Sequence, residues 1–284
     1  MDALRRNWWK LPVIVLAALL TRVALLQLIP LRASGTFELP PSPIAQAVGT
    51  VPAAAIVVAL TYAVIAAVMT VVAWNLPGGR MERAIACGLP FSLMWLAAVL
   101  ESVPSLGKPF GPELLFGLTD FIPVWIIGIL VGVWTDASPA RERSVFRRTG
   151  TVGVWIVAAS YLAGRYALYA LIRVNSGYAS RPEATFVWTL AMGLAVGLAY
   201  RFLREGIPGN TPIARAVWFG ALAFGLYWSL NNLFMPILFD MSFIAFQPTI
   251  MNFVYRILVD AAAVFFGVWS AERMPENHPA IRSS

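Results

Sequence analysis

The chain is poorest in the residues on which most site chemistry depends. Its 284 residues include one cysteine, Cys87, and one histidine, His278. A lone cysteine inside an apolar run can neither close a disulfide within the chain nor build a cysteine metal cluster. A lone histidine in a polar C-terminal tail leaves no imidazole set for a metal and no base for a serine or cysteine nucleophile. Neither GxSxG nor HExxH occurs, and without a Walker motif any ATP coupling needs a separate ATPase subunit. No cofactor is expected. Charge is scarce too: 12% of residues are Asp, Glu, Lys or Arg, about half the share in an ordinary soluble domain. The longest connections between apolar runs, roughly 14 to 20 residues, leave no room for a soluble domain.

Apolar residues fill the sequence instead, at 59% of the chain and a mean hydropathy of +0.73. About 20 helical residues cross a hydrocarbon core of about 30 Å. Runs of that length recur near 9–29, 49–74, 84–103, 113–135, 151–173, 184–203, 213–235 and 250–271. The expected fold is all-α, a polytopic bundle of about eight transmembrane helices. Arg5, Arg6 and Lys10 precede the first run as in a signal peptide. That run is long, carries Arg22 and lacks a small-x-small cleavage site, so it is expected to be retained.

The basic residues sort by side. Arg5, Arg6, Lys10, Arg80, Arg83, Arg141, Arg143, Arg147, Arg148, Arg201, Arg204, Arg215, Arg273 and Arg282 fall on one side of the alternating spans. Arg32, Lys108, Arg173 and Arg181 fall on the other. The positive-inside bias puts both termini in the cytoplasm of a cell-membrane protein, with the basic side on the anionic leaflet. The formal charge of +7 follows from that topology, and no nucleic-acid partner is implied because the cations flank spans instead of forming one face.

The halves of the sequence align. At an offset of 143, Leu19, Arg22, Ala24, Leu25, Leu28 and Ile29 meet Leu162, Arg165, Ala167, Leu168, Leu171 and Ile172. Near an offset of 132, Pro77, Gly78, Arg83, Ala84 and Gly88 meet Pro208, Gly209, Arg215, Ala216 and Gly220. "GVWTD" at 132–136 and "GVWSA" at 267–271 close the fourth and eighth spans. This predicts two parallel four-helix repeats, 1–137 and 150–284, joined by a basic cytoplasmic linker at 138–149 and related by an axis along the membrane normal. Gly128 with Gly132, and Gly193 with Gly197, have the spacing of close helix contacts.

Within the spans, an arginine at mid-helix disfavours insertion by about 2.5–3.5 kcal/mol, against a gain of about 0.3–0.6 for each large apolar residue. Arg22 and Arg165 therefore leave topology intact and pose a question of partners. Counting depth at 1.5 Å per residue places Arg22, Glu101, Asp120, Arg165, Arg256 and Asp260 in one outer-half layer, with Asn231, Asn232, Asn252, Tyr161 and Tyr169. Asn252, Arg256 and Asp260 share a helix face. Three arginines face three carboxylates. Either they pair across helices, Arg22 or Arg165 with Asp120 or Glu101 and Arg256 with Asp260, or they line an outward cavity for a small anionic or carboxylate-bearing solute. Pro90 and Pro123 predict helix breaks near this layer, and the apolar connection 236–248 is a lid or an interfacial anchor. The layer supports a permease or solute-binding component; the alternatives are a membrane scaffold docking other subunits, and an enzyme acting on a lipid headgroup with Glu101 and Asp120 as acid and base.

Overall fold

Inside a bilayer a backbone satisfies its own polar groups only as a helix or a closed barrel, and long Ala, Leu, Val and Ile runs take the first course. A computed structural model describes residues 2–29, 40–135, 151–174, 177–240 and 250–274. Among them are eight helices long and apolar enough to cross a membrane: α1 (Ala3–Leu28), α2 (Thr50–Asn75), α3 (Arg80–Leu106), α4 (Phe110–Trp134), α5 (Val152–Ile172), α6 (Pro182–Gly206), α7 (Pro212–Leu238) and α8 (Met251–Arg273). The only strand-like feature among the described residues is the Pro41–Phe239 bridge. This is the architecture of a multi-pass membrane protein. The linker, the tail with His278 and most of the 236–248 connection lie outside the described residues.

Helix ends follow local chemistry. Proline occupies the first turn of α6 and α7, where its missing N–H costs nothing. The Thr211 hydroxyl accepts from the Ala214 N–H at 3.1 Å to cap α7. Gly78 and Gly209, in the turns before α3 and α7, both have positive φ, 91° and 121°, a conformation glycine adopts without steric cost.

The expected breaks at Pro90 and Pro123 do not occur: both prolines are buried in continuous helix. A proline removes only its own N–H, and packing holds the flanking turns. The irregularities lie elsewhere. Helix α3 tightens at Leu100 and Glu101 before its last turn, where the Glu101 N–H donates to the Ala98 carbonyl. Helix α5 ends in a π-helical turn, Leu168–Ile172, and α7 carries another, Trp218–Leu226. Such segments re-aim side chains against the α-helical register.

The charged ends meet at one pole of the bundle. Lys10 Nζ donates to the Trp134 carbonyl at 2.7 Å, and Arg83 Nη1 to the Thr135 carbonyl at 3.1 Å, so two cations cover the C-terminal end of α4. Tryptophans gather at the same pole: Trp8, Trp9, Trp134 and Trp155 are exposed, while Arg6 and Arg273 lie over Trp74 and Trp269 at 5.6 and 4.0 Å. Exposed aromatics at a shared level mark a membrane–water interface.

Packing is centred on α3 and α6. Helix α3 packs on α4 and α6, α5 on α6 and α8, α7 on α8 and α2, and α1 on α4 and α2. Glycines permit the closest approaches. A Cβ at Gly128 or Gly132 would run into the α3 backbone at Gly88 or Ala84, and one at Gly197 into the Val154 carbonyl of α5. The GxxxG pairs thus face neighbouring helices, as their spacing predicts.

Candidate functional site

Arg165 lies on α5 just before its π-helical turn, and its side chain is 0% exposed. Its Nη1 donates to Glu101 Oε1 of α3 at 3.0 Å, and its Nη2 lies 2.7 Å from Asp260 Oδ2 of α8. Its Nε donates to the Tyr161 hydroxyl one turn earlier, at 3.1 Å. Trp188 of α6, Trp228 of α7 and Tyr161 surround the guanidinium at 5.0, 5.3 and 5.7 Å to their ring centres. An arginine's flat, weakly hydrated head stacks on aromatic faces while its edge keeps its donors. Trp188 is itself fixed, because its indole N–H donates to the Ala97 carbonyl of α3 at 2.7 Å.

Glu101 Oε1 also receives Arg256 Nη2 of α8 in an ion pair. One carboxylate oxygen is therefore shared by two arginines from two helices. Asp260 is 0% exposed and Glu101 13%, so Glu101 is the member of this group that reaches towards the surface. The buried Arg256 Nε makes no hydrogen bond among the described residues. Arg256 does not form the expected ion pair with Asp260. The two share a helix face, but the ion pair of Asp260 is with Arg165, and that of Arg256 is with Glu101. The approach of α5 and α3, which spacing along α8 does not encode, sets that choice.

The expected single layer resolves into two ion-paired groups. In the second, Arg22 Nε of α1 donates to Asp120 Oδ1 of α4 at 2.5 Å, and the Tyr62 hydroxyl of α2 donates to the same oxygen at 3.3 Å. Arg22 thus bonds within the bundle and does not merely snorkel outward. Tyr169 is buried and stacks on Tyr178 at 5.6 Å. Asn232 is buried, with its amide donating to the Trp228 carbonyl at 2.9 Å. Neither Asn231 nor Asn252, both half-buried, makes a hydrogen bond or ion pair with either group among the described residues. Glu101 and Asp120 are held by different arginines, which does not favour a shared acid and base role.

Sequence reasoning had no signal to single out Trp188, Trp228 or Tyr62, because an aromatic in an apolar span reads as core or lipid contact. It also missed Glu272, in the last turn of α8, which accepts from Tyr200 Oη at 2.6 Å and Arg204 Nε at 3.0 Å and lies 3.5 Å from Arg215 Nη1. Its signal was present, since Arg204 and Arg215 cluster at the same pole in the charge pattern. No group of three or more His, Cys, Asp or Glu that could hold a metal occurs among the described residues. Cys87 is buried and unpaired in α3.

Comparison with family profiles, curated proteins and solved structures finds no match. What the fold and the charged groups define is a class: an all-helical multi-pass membrane protein with buried ion pairs joining its helices.

Proposed function

We propose that the protein is a permease or solute-binding membrane protein of two parallel four-helix halves, with its site where Glu101 of one half meets Arg165 and Arg256 of the other. Corresponding contacts support the halves. Within each, the first helix packs on the second and fourth, and the third on the fourth; between them, α3 meets α6 as α7 meets α2. Arg83 donates to carbonyls near the ends of α2 and α4, at Ala73 and Thr135. Its counterpart Arg215 donates to the Arg204 carbonyl late in α6 and pairs with Glu272 late in α8. At the opposite pole, Ser42 ahead of α2 bonds the end of α7 at Ile237 and Leu238. Likewise Arg181 ahead of α6 bonds the end of α3 at Pro104. Arg22 with Asp120, and Arg165 with Asp260, each join the first helix of a half to its fourth. Lysine and arginine at the tryptophan-rich pole support a cytoplasmic location for that pole and both termini.

The observation that carries the site is the sharing of one Glu101 oxygen between two arginines, one of which retains a buried N–H with no hydrogen-bond partner among the described residues. Ionisable groups within a membrane are costly to place there and commonly mark substrate or ion paths. Guanidinium edges are suited to a carboxylate or another small oxyanion. A thermal-shift panel of small carboxylates and inorganic phosphate on purified protein tests this. At least one anion is expected to raise Tm, with the shift lost in Arg165→Lys and Arg256→Lys, since lysine does not reproduce a bidentate fork. No shift with any anion contradicts the reading.

A scaffold reading draws on one observation: Glu101, Asp120 and Asp260 already have arginine partners within the chain. On that reading purification in mild detergent recovers a stoichiometric membrane partner, and the anion panel is silent.

A further inference from the structure

We infer that Glu101 is a tethered occupant of the solute's own site, and that a solute carboxylate binds by exchanging with it. This rests on the reading of the Arg165–Arg256 junction as a solute site. Two features separate Glu101 from Asp260. Asp260 is 0% exposed and lies behind Arg165 on α8, whereas Glu101 is partly exposed and stands where α3 loses its regular helical register. A side chain on such a turn can withdraw without unwinding a buried helix. Its carboxylate also makes the contacts expected of a bound ligand: one oxygen shared by Arg165 and Arg256, with aromatic rings of α6 and α7 fixing the first arginine. Arg256 Nε, buried and without a hydrogen-bond partner among the described residues, is a further donor for an incoming oxyanion.

An internal carboxylate competes at the effective concentration set by its tether, on the order of millimolar or above for a short linkage. It therefore weakens the apparent affinity for a free carboxylate and excludes solutes that bind less well than Glu101 does. The exchange swaps one carboxylate for another and conserves charge at the two arginines. It selects for a monocarboxylate over a more highly charged oxyanion.

The experiment is a benzoate titration of wild type, Glu101→Gln and Asp260→Asn in detergent, with inorganic phosphate as the second probe. Glu101→Gln is expected to melt lower than wild type without ligand, to regain Tm with benzoate, and to bind it about tenfold or more tighter. Asp260→Asn removes the same charge from behind Arg165 and is expected to show no such gain. Equal gains in both variants reduce the effect to net charge and overturn the inference, as does unchanged or weaker benzoate binding in Glu101→Gln. Phosphate binding without benzoate binding overturns the carboxylate class while the site reading stands. Silence of both probes in wild type and Glu101→Gln alike removes the site itself. Should Glu101→Gln not fold, Glu101→Asp, which draws the carboxylate back by one methylene, is expected to give an intermediate gain; no gain there is equally contrary.

Discussion

Arg22 on α1 and Arg165 on α5 each stand among leucines, and each finds an aspartate on a neighbouring helix, Asp120 on α4 and Asp260 on α8. Their surroundings then diverge. Arg22 is 16% exposed, and its aspartate is also held by Tyr62. Arg165 is 0% exposed, is ringed by three aromatic residues, and reaches Glu101 on α3 as well as its own aspartate. In the proposed two-half arrangement the difference lies on the third helix of each half. Where α3 offers Glu101, the corresponding stretch of α7 offers Asn231 and Asn232. One arginine therefore closes a pair inside its own group of helices, and the other joins a network across to α3. On the proposed reading, a repeated element becomes a site where a single carboxylate breaks the repetition.

The largest expected effect is on the network. Arg165→Met leaves the buried Asp260 without its ion-pair partner, a change that costs about 3–5 kcal/mol, read by unfolding in detergent; the double variant with Asp260→Asn is expected to regain most of it. Arg22→Met should cost less, about 1.5–3 kcal/mol, since Asp120 keeps its bond from Tyr62 and is 9% exposed. Equal losses for the two arginines would contradict the difference between their surroundings. A double-mutant cycle sharpens it further: Arg165 with Glu101 is expected to couple by more than about 0.5 kcal/mol, and Arg22 with Glu101 by less. Smallest is Lys10→Ala, which removes a cation from the end of α4 and is expected to cost about 0.3–1 kcal/mol, falling as salt rises.

Much of this was legible in the sequence for a physical reason. Bilayer thickness sets span length, so hydropathy alone gives eight helices, and unsatisfied arginines must find partners at their own depth. Those rules left Arg22 or Arg165 to pair with Asp120 or Glu101, and the structure takes Arg22 with Asp120 and Arg165 with Glu101; the glycine contacts followed from spacing. The partners of Arg256 did not, because the face it shares with Asp260 says nothing of how α3 and α5 approach it. The π-helical turns were also hidden, since Leu168–Ile172 and Trp218–Leu226 have the same apolar composition as ordinary helix. Pro90 and Pro123 misled in the opposite sense: each removes one hydrogen bond, and packing carries the helix through.

The central claim is that only the second arginine belongs to an exchangeable site. Calorimetric titration of one binding carboxylate into wild type, Arg22→Lys and Arg165→Lys tests it most directly. Expected is a Kd within about twofold of wild type for Arg22→Lys and at least about tenfold weaker for Arg165→Lys, a gap of about 1.4 kcal/mol. Equal loss in both variants, or no loss in either, contradicts it.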